Sequence, residues 1–186
     1  LTGLEEPFAK RTVEGDLGMR YSASGILNAL SKVELEKANK TYNLVAEVTK
    51  RRENVNFIPT TSFDYKVDLF IAETALDVAF SRHVGKTKDV FTHFGTMYYQ
   101  TGKDLTETKY VIGTGGVLIY NKPQTILTKI KSKPENVLEL RPKNPKFLLD
   151  SSYILSAMGL LAEVEPKKAL RIMKKMLIEV GEDNET

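Results

Sequence analysis

Apolar residues recur along this chain at two different periods, and the switches between them mark out helical and extended stretches. Phe8 to Val13 is a short segment of extended character. From Leu17 to about Leu30 the pattern is helical, with Asp16 as N-cap; Gly18 and Gly25 weaken it unless close packing or a ligand requires bare backbone there. Ser31 and Glu34 have capping-box spacing and open a longer helical pattern to Arg52, in which Leu35, Ala38, Tyr42, Val45 and Val48 fall three or four residues apart. Residues 54–62, with Pro59, predict a connector. A second strong helix spans Phe63 to Val84, its stripe formed by Val67, Phe70, Ile71, Thr74, Ala75, Val78 and Ala79, and Gly85 reads as its C-cap.

Period two takes over in the middle of the chain. Asp89 to Gln100 alternates around Gly95 and predicts a β-hairpin or two short strands. Tyr110, Val111 and Ile112 then run into Gly113, Gly115 and Gly116 with only Thr114 between, which predicts a strand ending in a sharp glycine turn. A helix over Lys122 to Lys131 follows, with Pro123 in its first turn, and then two short apolar runs, Val137–Leu140 and Lys146–Leu149. Asp150, Ser151 and Ser152 cap a helix from Tyr153 to Glu163, whose small residues Ala157, Gly159 and Ala162 predict close packing on a neighbour. Pro166 starts a last amphipathic helix, and Gly181 to Thr186 reads as a frayed acidic tail. The sum is an α/β chain of mixed α+β type.

Composition narrows the function. With 186 residues, 41% of them hydrophobic, the chain suffices for one core or two small lobes. It has no apolar run of membrane-spanning length and no signal-peptide pattern, so no membrane partner is expected. The absence of cysteine excludes disulfides and thiolate metal sites and agrees with a cytoplasmic location. A net charge of +3 does not argue for nucleic acid, and both Lys50-Arg51-Arg52 and the group Lys167, Lys168, Arg171, Lys174, Lys175 read as solvated faces. His83 and His93 are the only histidines. A metal site needs three or four ligands, so they read as surface or capping residues, and neither a metal ligand nor a catalytic residue is assigned. The start at Leu1 reads as an entry partway along a longer protein.

The glycine turn is the candidate for chemistry. At the carboxyl end of a strand in an open α/β sheet, glycines bare backbone N–H groups where nucleotides sit. The spacing here is G-x-G-G, which fits neither the dinucleotide fingerprint nor the P-loop, and a tight turn without a ligand explains it as well.

Five segments taken together carry a resemblance: Arg11-Thr12-Val13-Glu14-Gly15-Asp16-Leu17-Gly18-Met19-Arg20, Arg82-His83-x-Gly85, Gly102 to Thr106, Val111 to Gly116, and Tyr153 to Leu161. In this order, over nearly the whole chain, they resemble the carboxyl-terminal part of the glutamate mutase (methylaspartate mutase) accessory protein family, MutL or GlmL, itself similar to the actin, Hsp70 and sugar-kinase ATPases. The resemblance implies a partial actin/Hsp70-like, ribonuclease H-like lobe with a helical outer subdomain. Residues 1–30 and 105–186 would form the nucleotide-lobe core and residues 31–104 the outer subdomain. Gly113, Thr114, Gly115 and Gly116 would be the adenosine motif, with Glu14, Gly15 and Asp16 near the same cleft. Ser152 to Leu161 would be the second connecting helix, its small residues meeting a partner helix at the hinge between lobes.

The implied ligand is ATP or ADP with Mg²⁺, whose ligands, like both phosphate hairpins, fall in the missing amino-terminal part. This piece alone is therefore expected not to hydrolyse ATP. The implied partners are that amino-terminal half and the subunits of an adenosylcobalamin-dependent mutase, which a chaperone-like ATPase would reactivate. Two other classes stay open: a small-molecule kinase of the same superfamily, with Asp16 or Asp104 as catalytic carboxylate, and a non-catalytic interaction module using the Lys167–Lys175 face.

Overall fold

In the computed structural model, which describes Pro7 and residues 9–93 and 95–181, the chain divides into two packed units. One comprises the residues up to Thr106 together with Ser132–Arg141, the other Glu107–Lys131 and the residues from Pro142 onward. Phe8, Phe94 and the predicted acidic tail at 182–186 lie outside the described residues.

The first unit is helical with one hairpin. Its first helix, α1, is only Ser24–Ala29, shorter than the predicted Leu17–Leu30, because residues 15–23 run through two turns and a bend instead. The Asp16 side chain, expected to cap a helix, is engaged with Arg82 at 2.8 Å. Gly25 explains the arrangement: a Cβ on it would stand 1.8 Å from the Asp16 carbonyl oxygen, so the bare backbone anticipated there serves close chain approach.

The capping box forms as expected, with the Ser31 hydroxyl accepting from Glu34 N–H and the Glu34 carboxylate accepting from Ser31 N–H, and starts α2 (Lys32–Tyr42). The single long helix predicted to Arg52 is broken at Asn43, whose φ of 49° is left-handed, a conformation asparagine tolerates. The Asn39 side chain accepts from Val45 N–H across the break, and α3 (Leu44–Glu53) follows. A second capping box, Thr61 with Asp64, opens α4 (Ser62–His83), close to the predicted span. Ala23, Ile26, Ala38, Leu44, Val48, Val67 and Ile71 close one apolar core among these helices. Burial of each large aliphatic side chain is worth about 1.5–3 kcal/mol. Leu17, Met19, Leu27 and Leu30 pack against this core, so the segment around α1 lies with the helical region.

Gly85 does not cap α4; the C-cap is Val84, in extended conformation. A Cβ on Gly85 would come within 2.6 Å of the Lys103 carbonyl oxygen, and its N–H donates to that same oxygen at 2.8 Å, so the glycine lets two chain segments cross. The hairpin is present as β1 (Lys86–Thr92) and β2 (Gly95–Thr101), antiparallel, with Val90 opposite Met97. Residues 137–140 are not an independent strand. Leu140 N–H donates to the Gly85 carbonyl and Thr87 N–H to that of Leu138, which lays the segment beside β1.

In the second unit, β3 (Tyr110–Thr114) runs parallel to β4 (Lys146–Asp150), and β5 (Ile178–Val180) adds antiparallel to β4. Between β3 and β4 lie α5 (Gly116–Ile119) and α6 (Pro123–Leu127), the latter with proline in its first turn as predicted. Then come α7 (Ile154–Val164) and α8 (Pro166–Met176), which pack on each other through a single intervening residue, Glu165. The close packing predicted for the small residues of α7 is not found: Ala157, Gly159 and Ala162 are exposed, and a Cβ on Gly159 would meet nothing within 4 Å. The buried residue of α8 is Ala169. The fold is mixed α+β, and among the described residues no helix is long and apolar enough to cross a membrane.

Candidate functional site

The glycine turn stands at the carboxyl end of β3, where Thr114 lies beside Asp150 of β4 in parallel register. Its glycines divide by role. Gly113 is buried, and a Cβ there would come within 2.6 Å of Leu118 and 3.1 Å of Leu127, so its bareness seats α5 and α6 on the sheet. Gly115 has φ 113°, which side chains rarely adopt, and a Cβ on it would meet nothing within 4 Å. The backbone is therefore bare at that point with open space beside it. A Cβ on Gly116 would stand 3.2 Å from the Tyr153 hydroxyl.

Asp150, 1% exposed, ties the two strand ends together. Its carboxylate oxygens accept from the N–H groups of Ile154 at 3.0 Å and Leu155 at 3.1 Å, which satisfies the first turn of α7 from outside the N-cap position, held by Tyr153, and Thr114 Oγ1 lies 3.4 Å from it. Tyr153 has φ 54°. Periodicity counted this residue as the first of a helix and held no signal of its left-handed backbone.

Glu14, Gly15 and Asp16 belong to the first unit, the Gly113–Gly116 turn to the second. Arg82 pairs with Glu14 at 2.7 Å and Asp16 at 2.8 Å, and this hydrogen bond holds the Asp16 carboxyl below the usual carboxylate range. The Gly15 carbonyl accepts from the Ser22 hydroxyl at 2.8 Å. Asp104 accepts from Thr106 N–H at 2.9 Å, an ordinary Asx turn. His83 Nδ1 lies 3.0 Å from the Thr12 hydroxyl, and no cluster of three His, Asp or Glu side chains placed to hold a metal occurs among the described residues.

One feature of the first unit contradicts the reading of Lys50-Arg51-Arg52 as a solvated face. Arg51 is fully buried: its Nε donates to Asp68 at 2.6 Å and its guanidinium also bonds the Asp64 carbonyl, while Arg20 reaches Asp68 at 2.8 Å. The signal available in sequence was a carboxylate four residues before Arg51, at Glu47, and another pair spaced by four at Asp64 and Asp68.

These features define a mixed α+β protein with a bare, open glycine turn where two parallel strands end. The MutL protein family matches residues 1–177, and the chain is 48% identical over 183 residues to Protein MutL of Clostridium tetanomorphum, covering 97% of this chain and 40% of that protein. The chain belongs to the MutL family. It spans well under half the length of this curated relative. No solved structure matches it.

Proposed function

We propose that this chain supplies the adenosine side of an ATP site in an actin/Hsp70-like, chaperone-type ATPase that assists an adenosylcobalamin-dependent glutamate mutase in the cytoplasm. The observation that carries the nucleotide part is Gly115: bare backbone in a left-handed conformation, open space beside it, at the carboxyl end of a parallel strand. The mutase and cobalamin roles rest on family membership and on the resemblance described above.

The residues present suit the neutral part of a nucleotide. They do not supply a Mg²⁺ site, because Glu14 and Asp16 are paired with Arg82 and Asp150 is buried and bound to the first turn of α7. The metal and phosphate groups are assigned to the remaining length of the protein, and with them any hydrolysis. The kinase alternative loses ground for the same reason, since Asp16 and Asp104 both have structural partners.

The test uses the full-length protein. ATP at about a hundred times its Kd should raise stability by roughly 2.7 kcal/mol, because a ligand that binds only the native state stabilises it. Gly115→Val, which inserts a branched side chain into the open space, should abolish this protection while leaving a cooperative unfolding transition. Full protection of the folded variant would refute the assignment. Association of the mutase subunits that does not change between ATP and ADP would count against the chaperone role.

A further inference from the structure

Tyr153 holds φ 54°, and for a bulky side chain this left-handed backbone is strained. The surroundings enforce it: Asp150 grips the N–H groups of Ile154 and Leu155 and fixes the first turn of α7 directly after the tyrosine. In that conformation Tyr153 is about half exposed, at 51%, and its hydroxyl stands 3.2 Å from where a Cβ on Gly116 would be, one residue along the chain from Gly115. The strain therefore points an aromatic ring at the glycine turn.

The charge pattern decides which part of a nucleotide fits beside that ring. Asp150 already takes up the two leading N–H groups of α7 and is itself a carboxylate, so a phosphate placed at this helix start would compete for those donors and face a like charge. A neutral nucleoside meets neither obstacle, and an aromatic face favours a base or sugar laid against it.

We propose that Tyr153 is a nucleoside-contacting residue, its ring forming the wall against which base and sugar rest once they approach the open backbone at Gly115. The inference rests on the nucleotide reading above and deepens it by naming a residue and the part of the ligand it recognises.

The test is calorimetric titration of full-length protein with ATP, adenosine and tripolyphosphate, alongside thermal unfolding. Tyr153→Asn removes the ring but keeps a residue that tolerates left-handed backbone, and Tyr153→Gly does the same should the asparagine variant fold poorly. Both should melt no lower than the parent, yet bind ATP and adenosine about ten-fold or more weakly, in line with the loss of one aromatic–base contact. Tripolyphosphate affinity should stay the same, and Tyr153→Phe should bind ATP within about three-fold of the parent. Unchanged ATP affinity in a folded Asn or Gly variant, while Gly115→Val abolishes binding, would overturn the role of Tyr153 and leave the nucleotide site standing. An equal loss for tripolyphosphate, or a loss in Tyr153→Phe as large as in Tyr153→Asn, would also overturn it. If Gly115→Val itself binds ATP normally, the nucleotide reading fails and the tyrosine contact falls with it.

Discussion

A methyl group on Gly25 would stand 1.8 Å from the Asp16 carbonyl oxygen, an atom of the main chain that cannot swing aside. Gly25→Ala should therefore cost about 1–3 kcal/mol in urea unfolding. Gly159→Ala, in mid-helix with nothing within 4 Å, should add about 0.5–1 kcal/mol. Both glycines stand in apolar helical patterns, and the sequence does not tell them apart. Asp64 carries a residue-scale prediction in pH. The Thr61 hydroxyl above all, helped by Lys50, holds its carboxyl at about 2, against an ordinary 3.8. A depressed carboxyl pKa adds stability above the unfolded value and loses it as pH falls through the folded one, so this contribution disappears between about pH 4 and pH 2. Thr61→Ala should flatten that acid limb, as read from denaturation midpoints at successive pH values; an acid limb of unchanged slope would remove Thr61 as the cause.

Elements whose starts are encoded by neighbouring residues were legible, and those shaped by distant residues were not. The Ser31–Glu34 box, the long α4 and the hairpin around Gly95 follow from spacing of three or four residues or from strict alternation. The join of α3 to α4 does not, because it depends on a buried Arg51–Asp68 pair 17 residues apart, to which Arg20 adds a second cation. Arg51→Ala would leave Asp68 and the Asp64 carbonyl short of a donor in a buried setting. It should cost about 3–5 kcal/mol in chemical denaturation, whereas a solvated arginine would cost next to nothing. In the second unit α7 shows the opposite mismatch. Its sequence is strongly apolar, yet none of its residues is buried, and Leu160 and Val164 are 72% and 80% exposed.

Across the whole molecule, the division into units follows packing rather than chain order. Residues 132–141 leave the second unit and rejoin the first, where Arg141, 64 residues from Asp77, pairs with it at 2.7 Å and with Glu139 at 2.6 Å. The sequence by itself determined the mixed α+β class, the starts of α2, α4 and α8, the strand that ends in the glycine turn, and membership of the MutL family. Those features reside in periodicity, in caps reaching three residues along the chain, and in motif order, all of which are local or cumulative. Only the tertiary structure decided that Gly25, Gly85 and Gly113 make room for other protein atoms while Gly115 stays open, that Arg51 is interior, and that Tyr153 faces the turn. Each of those outcomes depends on which remote atoms arrive beside a residue, and that is fixed by the packing of whole elements rather than by their neighbours in sequence.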